Sequence, residues 1–200
     1  MNRLCFLIVG VALCTGCMSY DSAPSVSPSS EDSQTRHYRP VHPAHPEWSI
    51  GELGRSLTIY ADDIRVKVSA RRPESVVLRQ NGVISGRIVR VEHGARFDGP
   101  NALEFQCITH DSAHIVTDGG TIPSRRTQAG LSTPRLEIRK LADKRRYSLT
   151  EHIDAESCEG HELELPFSTL GALIFSIDDL PLAQRAGLAW YVTRFPVACE

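Results

Sequence analysis

Apolar and polar side chains alternate over Ile64-Arg65-Val66-Lys67-Val68, placing three aliphatic residues on one face and two cations on the other. That period of two is the mark of a half-buried strand. Leu57-Thr58-Ile59-Tyr60 precedes it across Ala61-Asp62-Asp63. Val76-Val77-Leu78-Arg79 and Val83–Val91 flank Asn81-Gly82. An Asn-Gly pair tolerates the positive φ angles of a tight type I′ turn, so these runs predict a hairpin. Gly86 inside the second arm predicts a bulge or a close backbone approach. Further strands are expected at Leu103–Ile108, Ile115-Val116-Thr117 and Leu173–Ile177. Leu136-Glu137-Ile138-Arg139 and Tyr147-Ser148-Leu149-Thr150 predict another hairpin, closed through Asp143-Lys144. Asp118–Ser132, rich in Gly and polar residues, reads as a long loop.

One helix is expected, capped by Asp178 or Asp179, with Pro181 in its first turn and an end near Thr193. Ala183, Ala186, Gly187 and Ala189 keep its surface narrow enough for close packing on a sheet. The sum is an α+β or mainly β domain: an antiparallel sheet or sandwich with one C-terminal helix.

The chain of 200 residues has room for about one ordinary domain. Its 41% hydrophobic and 23% charged content is ordinary for a globular protein and excludes collagen-like or polytopic membrane classes. A net charge of −2 excludes a chain that is basic throughout, so nucleic acid is not an expected partner.

The N-terminus departs from this picture. Arg3 is followed by the apolar run Leu4–Leu13 and then Cys14-Thr15-Gly16-Cys17. Ten apolar residues fall short of the roughly 20 that span a bilayer, which favours a signal peptide. Gly16-Cys17 resembles the bacterial lipoprotein box, although Leu13 lies four rather than three residues before the Cys. That resemblance, confined to residues 1–17, implies removal of residues 1–16 and acylation of Cys17. Met18 in the next position implies the outer membrane. Membrane attachment would then run through the acyl chains, since more than one chain makes anchoring stable.

Met18–Glu47 holds five prolines and no apolar periodicity, so it reads as a tether, leaving residues 48–200 as the folded body. His37, His42 and His45 lie in this segment, where the interleaved prolines oppose convergence on a metal. With Cys5 and Cys14 in the signal and Cys17 acylated, Cys107, Cys158 and Cys199 remain. Three thiols in an oxidising compartment permit one disulfide. Cys158–Cys199 is the expected pair, Cys107 the spare in an apolar strand, and Cys107–Cys158 the competing pair.

Chemistry-bearing motifs are few. No nucleophile-elbow, zinc-protease or phosphate-loop pattern occurs, and no C-x-x-C beyond Cys14–Cys17 of the N-terminal signal, so no catalytic residue, cofactor or metal is assigned. His110 and His114 stand i, i+4 around Asp111, a two-ligand zinc edge on a helix. Their strand-like neighbours place them in a turn instead. Cys107 with His110 lacks the exposure and lowered pKa that a thiolate nucleophile needs. Asp62-Asp63 and Asp178-Asp179 read as a turn and a helix cap.

Charge layout says more. Ser124–Arg146 carries a net +6 and Tyr147–Glu200 a net −7. Either the two neutralise each other through surface pairs, or they face apart and steer a charged partner. An acylated, tethered, β-rich body suits a module that binds another envelope protein, such as an inhibitor or immunity-type neutraliser of a secreted wall-targeting toxin. Arg125 and Arg126 in the expected loop, with Arg139, Lys144 and Arg145, are the candidate partner contacts. The alternatives are an envelope hydrolase of glycan or peptide, and an accessory lipoprotein of a secretion or envelope-assembly machine.

Overall fold

The alternation read from the sequence becomes a single pleated surface. The computed structural model describes residues 35–39 and 48–197, apart from 73–74, 102, 110, 129, 143–144 and 154–157. In chain order the strands are β1 (Arg36–Tyr38), β2 (Trp48–Leu53), β3 (Ser56–Ala61), β4 (Ile64–Arg72), β5 (Ser75–Gln80), β6 (Val83–Val91) and β7 (Gly94–Asp98). They continue as β8 (Leu103–Thr109), β9 (Ser112–Thr117), β10 (Gly120–Arg126), β11 (Gly130–Ser132), β12 (Leu136–Lys140), β13 (Arg146–His152) and β14 (Cys158–Glu164). Two helices follow, α1 (Thr169–Phe175) and α2 (Leu182–Arg194).

Strand order in the 14-stranded sheet is chain order, and every neighbouring pair is antiparallel. A meander of this kind sends its turns alternately to two rims. Gly54-Arg55, Glu92-His93 and Asp111 lie on one rim. Asp62-Asp63, Asn81-Gly82 and Asp118-Gly119 lie on the other. Asn81 and Gly82 both take positive φ (49° and 86°), as the predicted type I′ turn requires. Opposite Gly86 the register shifts between Leu78 and Arg79, and a Cβ on Gly86 would lie 2.2 Å from the Phe97 ring.

Successive inward positions form the core: Ile50, Leu57, Ile59, Val66, Val68, Leu78, Ile88, Phe105 and Ile115 are fully buried. Both helices cover this face, α2 against β4–β7 and α1 against β11 and β12. The small residues of α2 permit close approach, for a Cβ on Gly187 would come within 2.5 Å of Leu78 Cδ2. Burying a Leu or Phe side chain contributes about 1.5–3 kcal/mol, so the helices and the inward face stabilise each other.

The antiparallel, β-dominated fold matches the expected class, with four corrections. Leu173-Ile174-Phe175 is helical, belonging to α1, whose Ser168 side chain accepts the Gly171 N–H. A five-residue apolar run cannot distinguish a buried helix from a strand by periodicity. The long loop over 118–132 is instead β10 and β11. Pro123 is tolerated there because β11 pairs only with Arg125 and Arg126, so the proline lacks a β11 partner. The expected tether contributes β1, whose Tyr38 is buried against the core. Finally, α2 starts after Pro181, which is its N-cap, and no aspartate caps it.

Candidate functional site

Most of the arginines expected to face a partner are engaged within the chain. Arg125 and Arg126 project from strand β10 rather than a protruding loop, and Arg126 lies 3.8 Å from Asp111. Arg139 pairs with Glu137 at 3.1 Å. Arg145 meets Glu52 at 2.5 Å, and Lys144 lies outside the described residues. The basic hairpin and the acidic C-terminal segment lie side by side. β13 pairs with β14, Arg146 contacts Glu162 at 2.5 Å, and Arg135 reaches Asp179 at 3.5 Å.

Cysteine and histidine readings change as well. Cys107 is disulfide-bonded, so it is not the spare thiol. Cys158 is exposed at the start of β14, and Cys199 lies outside the described residues. His114 sits on β9 opposite Gln106 and Pro123, while His110, His42 and His45 lie outside the described residues. Among the described residues no group of three His, Cys, Asp or Glu converges as a metal site.

Three features remain. The first is a charged clasp at the Gly54 rim. Glu52 on β2, nearly buried, accepts hydrogen bonds from Tyr38 Oη (2.9 Å), Arg145 (2.5 Å) and Arg194 Nη2 (2.8 Å). These partners come from β1, the turn before β13 and the last turn of α2. The clasp therefore draws the two ends of the sheet together. Burial, then the neighbouring Arg36 and Arg194, push the Arg145 guanidinium below its ordinary pKa. All of its groups are occupied with one another, which suits a structural tie.

The second is a cleft of about 310 Å³ between Thr121-Ile122-Pro123 of β10, the Thr133–Leu136 connection and the Ser176–Asp179 turn. Its volume is at the low end for small-molecule sites. Its charged lining is largely committed, since Asp179 pairs with Arg135 and Asp178 with Arg185.

The third is cationic and uncommitted. On the outer face of the sheet, Lys67 of β4 stands directly across from Arg79 of β5, and Arg65 lies two residues along β4. With Gly82 they line a hollow of about 240 Å³. None of the three makes an ion pair with an acidic side chain among the described residues. Arg65 lies 5.5 Å from the ring centroid of Tyr60, a cation–π contact. Like charges directly opposite each other on a sheet destabilise it. Half-exposed Tyr60 and Ile84 border the hollow, Ile84 lying across from Arg79. The alternation over 64–68 already put Arg65 and Lys67 outward. The hidden part was the β4–β5 register, which adds Arg79.

No family model, curated protein or solved structure matches this chain.

Proposed function

We propose that the chain is a lipoprotein of the bacterial envelope, acylated at Cys17 and held at the outer membrane, whose β-rich body binds another envelope or secreted protein. The contact surface is the outer face around Arg65, Lys67 and Arg79, and it takes an acidic patch on the partner. One observation carries this reading: two cations are held directly opposite each other with no acidic side chain paired to either among the described residues. A partner's carboxylates would relieve that repulsion. Exposed Tyr60 beside Arg65 supports the same reading, because Tyr and Arg dominate the energetic centres of protein interfaces. A secreted wall-degrading toxin neutralised by this chain is the partner class that suits an exported binder.

The test uses the full chain with its own signal, expressed in a bacterial host and cross-linked in the envelope. Palmitate is expected on Cys17, and a discrete partner is expected to cross-link. Arg65→Glu with Lys67→Glu and Arg79→Glu is expected to abolish that cross-link while the circular dichroism spectrum stays unchanged. Undiminished cross-linking by the folded variant rejects the surface. Absence of acyl chains on Cys17 rejects the anchor.

A further inference from the structure

Strand β1 enters the sheet at the Gly54 rim. Arg36 pairs with Glu52, one residue from the Leu53 hairpin tip, so the chain before residue 36 leads off that end. Cys17 lies 19 residues before Arg36. Read as a coil from its sequence composition, a chain of that length would span about 25 Å. The β1–β3 side of this rim, with β13 and the end of α2, carries Arg36, Arg55, Arg145 and Arg194 against Glu52 and Glu164, while Glu92 and Asp111 stand on the β6–β9 turns farther along it. Arg145 and Arg194 share Glu52, whereas exposed Arg36 and Arg55 form no ion pair among the described residues. Leu53, 52% exposed, stands at the extreme of its hairpin beside the Gly54-Arg55 turn, on the strand face opposite Glu52. An exposed apolar hairpin tip with unpaired arginines at the same end is the composition of a surface that rests on an anionic bilayer.

We infer that the Gly54 rim is a second, reversible membrane contact: Arg36 and Arg55 meet the phosphates of lipid headgroups and Leu53 enters the interfacial layer. This inference rests on the acyl anchor at Cys17 for its geometry, because the tether's exit brings this rim, and not the Asn81 rim, nearest the bilayer. The cationic hollow around Arg65, Lys67 and Arg79 lies toward the Asn81 rim and is thereby turned away from the membrane.

The experiment reconstitutes the purified acylated protein, in a Cys158→Ser background, into vesicles of phosphatidylethanolamine with phosphatidylglycerol or of phosphatidylcholine alone. A nitroxide is attached at Leu53→Cys or, on the opposite rim, at Val83→Cys. Collision with oxygen against a water-soluble nickel chelate reports whether each label lies in lipid. The residue 53 label is expected to be shielded from nickel in anionic vesicles and exposed in neutral ones, while the residue 83 label stays exposed in both. Each basic residue near an anionic surface contributes a factor of about five, so Arg36→Ser with Arg55→Ser should reduce the contact equilibrium about 25-fold. Salt should reverse the contact.

A residue 53 label equally exposed on both vesicle types overturns the inference, as does a contact indifferent to the double variant. Mass spectrometry of Cys17 separates the two readings. If no acyl chain is found, the unacylated full chain is sedimented with the same vesicles. Charge-dependent sedimentation then supports the rim contact and removes the anchor, and no sedimentation with anionic vesicles removes both.

Discussion

Replacing Glu52 by Ala removes one carboxylate that joins four parts of the fold. The side chain accepts one hydrogen bond from Tyr38 and one from each of Arg145 and Arg194. A hydrogen bond to a charged group contributes about 1.5–3 kcal/mol when well buried. The two arginine side chains are 33% and 37% exposed, so solvent screening brings each of their bonds down to about 1 kcal/mol. With a similar contribution from Tyr38, the loss comes to about 3 kcal/mol. For a urea dependence of about 2 kcal/mol per M, the unfolding midpoint should fall by about 1.5 M with unchanged slope. Glu52→Gln keeps an acceptor for Tyr38 and should lose about half as much. The assay is urea unfolding followed by circular dichroism, with Arg145→Ala and the double variant completing a thermodynamic cycle. A coupling between Glu52 and Arg145 of at least about 0.5 kcal/mol is expected for residues in direct contact. A midpoint shift under about 0.3 M for Glu52→Ala, or strict additivity in the cycle, would refute the clasp.

Three further outcomes follow from packing and titration. Gly94→Ala would put a Cβ 1.7 Å from the Phe105 carbonyl oxygen, which belongs to a paired strand, so a loss of about 1–3 kcal/mol or a failure to fold is expected in thermal unfolding. Ser168→Ala removes the cap of α1 and should cost about 0.5–2 kcal/mol, read as a lower melting temperature, whereas an uncapped segment would show no change. Burial raises the pKa of Tyr147, whose hydroxyl donates to the Phe167 carbonyl at 2.5 Å. The folded state therefore holds that proton more tightly than the unfolded state. Its contribution is intact below the unfolded value of about 10 and is lost as pH rises above it, so stability should fall there, and Tyr147→Phe should flatten the decline.

How much of this was legible depended on sequence distance. The hairpin around Asn81-Gly82, the outward placement of Arg65 and Lys67, and the close-packing face of α2 are all written within a few residues. The apolar run Leu173–Phe175 was ambiguous, although Ser168 ahead of it is a cap signal that pointed to a helix. β10 and β11 were hidden because Gly, Ser, Thr and Pro123 mimic loop composition, and their pairing is supplied by β9 and β12. β1 is three residues long and carries one buried side chain, Tyr38. The clasp was beyond reach. Tyr38, Arg145 and Arg194 are separated from Glu52 by 14, 93 and 142 positions, and only tertiary curvature makes them its neighbours. The charge runs had an ordinary explanation too, since they meet in the surface pairs Arg146–Glu162 and Arg135–Asp179.

The meander has a consequence for biogenesis. Each strand bonds to the one before it, so the sheet can grow as the polypeptide emerges, and such short-range pairing favours fast folding. The covering layer, however, arrives last, because both helices follow β14. Until residues 169–194 emerge, a broad greasy surface stands open to solvent, the condition that invites aggregation. A molecule built in this order needs either rapid delivery of its C-terminal end or a holdase that shields the half-made product.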